Sequence, residues 1–301
     1  MMKLLKTAAL TAVSLFWAGQ AAAFWLNAGA KETTGNRNYN GVNVSGQVGL
    51  GDFSVKPMFA TFHSDLSSGT FNSYSLRVGH DTKLLGLGVT GGVTPSVNGY
   101  SNQFVGADLA LSITPTGQGA RARIGGREQA SGPAQGAGLA RIDLGASAMF
   151  TNHRDHFGPA GQALGSVARL GQTDLTGSAG VSILKNLLSV DVTKSFYDHK
   201  PEGLNMRAPR VQNIIGLSQV VQGFPNTSAN VKLVMSVLPL IKPFVNYTRT
   251  TFEAGESNSN AYSAGVSVEL EILELSAAYE RYVQAGQTDR NYFSLGASLR
   301  L

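Results

Sequence analysis

The chain has 301 residues, no cysteine, 36 glycines and a formal net charge of +5. Only 14% of its residues are charged, against about 25% in soluble domains. The lack of cysteine excludes a disulfide scaffold, a thiolate metal site and a cysteine nucleophile. The weak, dispersed positive charge excludes a basic nucleic-acid surface. Repeated runs of about 20 apolar residues are also missing, which excludes a bundle of transmembrane helices.

Residues 1–23 have the organisation of a secretory signal peptide. Two lysines make the start positive, and a short apolar stretch follows them. Small residues then occupy Ala21 and Ala23, which is typical of a signal-peptidase site. We therefore expect Sec-type export with cleavage after Ala23, leaving residues 24–301 as the mature domain.

From residue 24 onwards, apolar and polar residues alternate in successive short segments. In the C-terminal segment, Phe293 and Leu295 lie on one face, and Ser294 and Arg300 lie on the other. A period of two is the signature of a half-buried β-strand. We predict strands over residues 24–31, 42–50, 53–63, 72–81, 84–94, 103–114, 139–150, 174–184, 187–198, 227–238, 241–252, 260–272, 273–284 and 291–301.

The connections between these segments alternate in length. Short turns are expected near residues 51–52, 81–83, 185–186, 239–240 and 273. Longer polar loops are expected at residues 32–41, 64–71, 95–102, 253–260 and 285–290. This alternation is typical of an up-and-down transmembrane barrel with tight periplasmic turns and longer outer loops. A soluble secreted β-protein is the alternative, although its solvent face would carry more charge.

The predicted fold is therefore all-β: an antiparallel, up-and-down transmembrane β-barrel of about 14 strands, within a range of roughly 12–16. Residues 119–127 and 165–171 could supply a further pair of strands. Residues 125–138 are rich in Gly and Ala and indicate a flexible loop. Residues 199–226 indicate a structured loop on the mouth or in the lumen, whose apolar part at 211–221 could form a short helix or an extra strand.

The C-terminus carries a more specific pattern. Ser294, Gly296, Leu299 and Leu301 follow one another as a polar residue, a glycine and two bulky apolar residues, the last at the chain end. This resembles the terminal signal of bacterial outer-membrane β-barrel proteins, with Leu301 in place of the usual aromatic residue. The resemblance is to the porin-like class as a whole and identifies no single family. It implies the bacterial outer membrane as location, and outer-membrane lipids and the barrel-assembly machinery as partners.

The polar face of the predicted strands would line the lumen of such a barrel. Acidic residues concentrate at 269–280 and basic residues on earlier strands. Separated charges would set up a field across a water-filled lumen, whereas paired charges would plug it. The predicted lumen-lining residues are Lys56, Arg77, Asp108, Arg141, Asp143, Asp191, Lys232, Lys242, Glu269, Glu271, Glu274, Glu280 and Arg300. Aromatic residues expected in the outer girdles are Phe24, Trp25, Tyr247, Tyr262, Tyr279 and Phe293.

The sequence predicts no catalytic, cofactor or metal site. His153 and His156 have the spacing of two metal ligands, but no third ligand accompanies them, and we interpret them as solvated loop residues. His63, Ser64 and Asp65 are adjacent, so their side chains point apart and cannot form a triad.

The predicted function is a passive, porin-like channel for small hydrophilic solutes, with no enzymatic activity and no cofactor. One alternative is a closed structural or surface-binding barrel that acts through outer loops at residues 125–138 and 199–226. The other is an outer-membrane lipid hydrolase.

Overall fold

A computed structural model describes most of residues 24–301. The described residues are 24–65, 69–82, 84–113, 140–155, 168–184, 186–201, 210–212, 219–221, 223–235, 240–254 and 256–301. The predicted signal peptide at 1–23, the segment at 119–127 and the loop at 125–138 lie outside them. In the described part of the chain, no helix is long and apolar enough to cross a membrane.

The described residues form sixteen strands, fourteen of which close into one antiparallel barrel. The strands are β1 (Phe24–Gly35), β2 (Tyr39–Leu50), β3 (Phe53–His63), β4 (Phe71–Asp81), β5 (Leu85–Val97), β6 (Tyr100–Ile113), β7 (Ala140–Asp155), β8 (Ala168–Ile183), β9 (Asn186–Tyr197), β10 (Arg210–Gln212), β11 (Gln219–Val221), β12 (Pro225–Val234), β13 (Ile241–Phe252), β14 (Ser259–Leu270), β15 (Leu273–Gln284) and β16 (Arg290–Arg300). In the barrel, each strand pairs with the next along the chain, β9 pairs with β12, and β1 pairs with β16. The predicted fold class and strand number are confirmed.

Two predicted long loops are wrong. The ladder of β1 and β2 extends up to the pair Gly35 and Tyr39, and that of β5 and β6 up to Val97 and Tyr100. Both turns are tight, because Arg37 and Asn38 in the first and Asn98 and Gly99 in the second adopt the left-handed conformation that short hairpin turns require. Polar residues near the rim continue the strands, so the end of the apolar alternation at residues 32–41 and 95–102 did not mark the end of the ladder.

The structure describes parts of two further segments, residues 165–171 and 211–221, that could have formed extra strands. β8 begins at Ala168, so the end of the segment at 165–171 extends the strand predicted at 174–184 and adds no further one. Within the apolar part at 211–221, β10 and β11 pair as a small separate hairpin. Neither segment changes the number of strands in the barrel wall.

The barrel has an apolar outer face and a polar inner face. On β16, Phe293 is 48% exposed and Leu295 is 54% exposed, whereas Ser294 between them is 2% exposed. Large exposed apolar side chains recur on every barrel strand except β1, and the polar groups opposite them are screened inside the closed wall. A continuous apolar surface of this size is suited to lipid, and a closed barrel leaves no unpaired strand edge in it.

The two ends of the barrel differ. We call the end that holds the start of β1 and the end of β16 the turn end, and the opposite end the loop end. Leu26 N donates to Leu301 O at 2.9 Å and closes the wall at the turn end. β6 ends and β7 begins at the turn end, whereas β9 ends and β12 begins at the loop end. The predicted loop at 125–138 lies outside the described residues, so its place as an outer loop stays a prediction.

The wall has one seam at mid-height between β2 and β3. Their ladder is interrupted after the pair Ser45 and Met58 and resumes at Val48 and Val55. Pro57 lies in the gap and has no N–H to donate. An apolar groove of about 520 Å³ lies over this position, and its lining includes Val44, Gly46, Pro57, Phe59, Tyr74, Leu76 and Gly91.

Candidate functional site: the lumen of the barrel

The inner face carries almost all of the predicted lumen residues. Those placed there by the strand alternation are Lys56, Arg77, Asp108, Arg141, Asp143, Asp191, Lys232, Lys242, Glu269, Glu274, Glu280 and Arg300. Glu271 is the exception, because it is exposed in the turn between β14 and β15 with φ of 25°. The prediction that Glu271 lines the lumen was wrong, because the alternation of faces does not continue through this turn. A role of the other residues in solute passage remains a prediction.

Arg77 is the centre of a buried ion cluster near the turn end. Its Nε donates to both oxygens of Asp108 at 3.0 Å, and its Nη2 lies 3.5 Å from Asp81 Oδ1. Only 5% of Arg77 is exposed. Gly79 and Gly88 make room for the guanidinium, since a Cβ at either position would overlap it. Charge-assisted bonds of this kind hold the cation against the wall.

Further ion pairs continue around the turn end. Arg141 Nε donates to Asp143 at 2.8 Å, and Lys242 Nζ lies 2.5 Å from Glu269. Arg300 lies 3.8 Å from Glu269 and also pairs with Glu274. We call this set the charge belt: Arg77, Asp81, Asp108, Arg141, Asp143, Lys242, Glu269, Glu274 and Arg300.

The charge belt corrects the predicted separation of charges. Glu269 and Glu274 are neutralised by Lys242 and Arg300 on adjacent strands instead of facing distant bases. The pairing depends on the register between strands, which the sequence does not display. Asp81 belongs to the belt but was missed, because it ends β4 where a turn was predicted.

Small residues line the inner face between the two ends. They are partly exposed, so water reaches the interior of the barrel at this height. These residues include Gly29, Ser45, Ser75, Gly106, Ser147, Thr176, Ser178, Thr193, Ser276 and Gly296.

Several inward-facing rings lie flat against the wall over glycines. A Cβ at Gly49 would overlap the Trp25 ring, and one at Gly265 would lie 2.5 Å from Phe244 Cζ. Trp25 is therefore on the inner face and 5% exposed, which corrects its prediction as a girdle residue. Flat rings leave more of the cross-section free than rings that project across it. The other predicted girdle residues, Phe24, Tyr247, Tyr262, Tyr279 and Phe293, alternate onto the outer face.

Aromatic side chains also gather on the inner face at the loop end. Phe62 and Phe71 stack with ring centroids 5.2 Å apart, and Tyr39 meets Tyr292 edge-on at 5.0 Å. All are between 3% and 9% exposed and belong to one connected cluster. We call it the aromatic collar: Tyr39, Phe62, Phe71, Tyr100, Tyr282 and Tyr292. The sequence could have indicated the collar, because these aromatic residues occupy positions near strand ends that the alternation assigns to the polar inner face.

His153 is part of this region and not a solvated loop residue. The Tyr100 hydroxyl lies 2.8 Å from His153 Nδ1, and Gln172 Oε1 lies 3.0 Å from Nε2. Because the Gln172 amide donates to Asp174 at 2.6 Å, its oxygen accepts from His153, which places the proton on Nε2. His156 lies outside the described residues. Within the described ranges, no three His, Asp or Glu side chains are grouped to hold a metal ion.

Comparisons with known proteins identify the fold. No protein-family model matches the chain, and no curated protein matches its sequence. The CymD monoaromatic hydrocarbon channel is similar in structure, with TM-score 0.50 and 9% identity over 92% of this chain and 88% of that one. CdiB from Acinetobacter baumannii matches 92% of this chain at TM-score 0.47 and 11% identity, and this chain spans 60% of its length. The NanC porin matches 92% of this chain and 100% of its own, at TM-score 0.42 and 10% identity. At these identities, the likeness is one of fold.

Proposed function

We propose that the protein is a passive channel of the bacterial outer membrane that conducts small hydrophilic solutes. The observation that carries the proposal is the contrast between an apolar outer face and a water-accessible inner face of small polar residues. Rings folded over glycines support an open interior. Solutes would cross by diffusion, and no chemical step or cofactor is part of the proposal.

The paired charges bear on which solutes would cross. Each cation of the charge belt has an acidic partner on its own or an adjacent strand. The electric fields of closely paired charges cancel at distances comparable with the lumen width, and salt screens the field that remains. The channel should therefore discriminate weakly between cations and anions.

The proposal includes export and assembly. Residues 1–23 would direct export and be removed after Ala23. Gly296, Leu299 and Leu301 would be read by the barrel-assembly machinery. The two leucines point outwards and are 46% and 67% exposed, which leaves them accessible on the strand that closes the barrel.

Conductance in a planar bilayer tests the proposal directly. Detergent-purified protein, shown to be folded by heat-dependent gel mobility, should give discrete current steps with little ion selectivity. A folded protein that leaves the bilayer silent and liposomes unswollen would overturn it. The closed, surface-binding barrel would then be the better interpretation.

A further inference from the structure

The aromatic collar departs from the chemistry expected inside a water-filled barrel. The lumen face of such barrels is polar, and the middle of this lumen follows that rule. At the loop end, the same register instead carries buried aromatic rings. Lipid contact does not account for them, because they lie on the face opposite the apolar exterior.

The collar forms a continuous arc along the inner rim. Its members come from β15, β16, β2, β3, β4 and β6, which lie in that order around the wall apart from β1 and β5. Phe71 continues the arc to Tyr100 at 6.3 Å between ring centroids. Gly35 lets the arc cross β1, since a Cβ there would lie 2.6 Å from Tyr292 Cδ1.

Polar groups accompany the rings on both sides of the collar. Four of its six members carry a phenolic hydroxyl. Arg290 is the next inward-facing residue on the loop-end side of Tyr292. Its Cζ lies 5.2 Å from the centre of the Tyr282 ring. Glu280 lies one register position nearer the turn end than Tyr282, and it accepts a hydrogen bond from Ser263 at 2.9 Å. The rings thus form an apolar layer with hydrogen-bonding groups immediately above and below it.

We propose that the aromatic collar is a binding rim that favours solutes built on one flat aromatic ring with a polar substituent. The proposal rests on the channel function above. The collar covers only one side of the rim, so hydrated ions and sugars would pass beside it without a favourable contact with the rings. A solute with a flat aromatic ring would replace some ring–ring contacts within the collar by contacts between its own ring and the collar rings. Its polar group would reach the adjacent hydroxyls and charges.

Two amino acids of nearly equal size test this inference. Phenylalanine and cyclohexylalanine carry the same charges and the same carbon skeleton, but only phenylalanine has a flat aromatic ring. Liposome swelling should be faster with phenylalanine, and phenylalanine should interrupt single-channel current more often. The variant Tyr39→Leu/Phe71→Leu removes two collar rings while keeping apolar bulk. Phe293→Leu is the matched control, since it removes a neighbouring ring on the outer face.

The expected result is a preference for phenylalanine that falls by about ten-fold in the double variant and is unchanged in Phe293→Leu, since each ring contact contributes modestly. The single variant Phe71→Leu, with a smaller fall, replaces the double variant if that does not fold. Equal rates for the two amino acids, in a protein that conducts, would overturn the collar proposal and leave the channel standing. Equal loss in Phe293→Leu would also overturn it. A folded but silent protein would overturn the channel itself.

Discussion

The charge belt and the aromatic collar lie on the same face of the wall and share β4, β6, β15 and β16, yet they are held by different forces. In the belt, Arg77 meets Asp108 through directed bonds at 3.0 Å, so each cation has a fixed partner. In the collar, Phe62 and Phe71 stack at 5.2 Å through contacts that depend little on direction. The belt consequently tolerates exchange of a partner poorly, whereas the collar depends less on the identity of each neighbour. Inner-face position alone therefore does not define the chemistry of a lumen.

Removal of the central cation should break the belt with the largest effect. Arg77→Met leaves the buried Asp81 and Asp108 without their guanidinium, and loss of one partner of a buried pair costs about 3–5 kcal/mol. Urea unfolding in lipid vesicles should show a free energy of unfolding that is lower by that amount. Arg281→Met is the control, because its pair with Asp289 is exposed and exposed ion pairs contribute little to stability. Equal losses would contradict a special role of the belt.

The flat placement of rings over glycines is the next feature to test. Gly49→Ala forces the Trp25 ring off the wall, and such overpacking costs about 1–3 kcal/mol. We also expect lower conductance, because the displaced ring narrows the lumen. Gly177→Ala is the matched control, since a Cβ there meets nothing within 4 Å. Trp25 fluorescence and single-channel current measure both effects, and unchanged values for Gly49→Ala would show that the ring does not limit the lumen.

The seam between β2 and β3 lies outside both regions. A substitution there should raise the free energy of unfolding instead of lowering it. Pro57→Val supplies the missing N–H and completes the ladder, which should raise the free energy of unfolding by about 1 kcal/mol. Thr61→Val is the control, because it adds a valine to the same strand face without a new donor. Slower hydrogen exchange at Gly46 and Gln47 would accompany the gain. A gain of the same size in Thr61→Val would assign the effect to the side chain.

The smallest effect is expected from an outer member of the belt. Lys242→Gln leaves Glu269 with only the longer contact to Arg300, so the lumen gains net negative charge. Reversal potentials under a salt gradient should shift slightly towards cation selectivity, and Glu269→Gln should shift them the other way. The collar variant Phe71→Leu should leave them unchanged. A shift in that variant would show that the two regions do not act separately.

Local pattern was sufficient for most of the fold. The strands β3 and β13 were predicted at the same bounds that the structure has, because alternation is a property of adjacent residues. It failed at residues 32–41 and 95–102, where polar residues continue the ladder near the rim. It failed again at Glu271, where a turn interrupts the period of two.

The lumen was predictable as a set of residues but not as an arrangement. Alternation places Lys242, Glu269 and Arg300 on one face, yet their meeting depends on the register of three neighbouring strands. Trp25 was misplaced for a related reason: aromatic identity suggested the lipid interface, while the pleat and the space over Gly49 put the ring inside.

The sequence by itself determined the barrel, its number of strands and the two faces of its wall, since these follow from a repeat that spans only a few residues. The tertiary structure decided which charges neutralise one another, which rings lie flat, and at what height the aromatic collar forms. These features join residues far apart in the chain, such as Tyr39 and Tyr292, and only the closure of β1 on β16 brings them into contact.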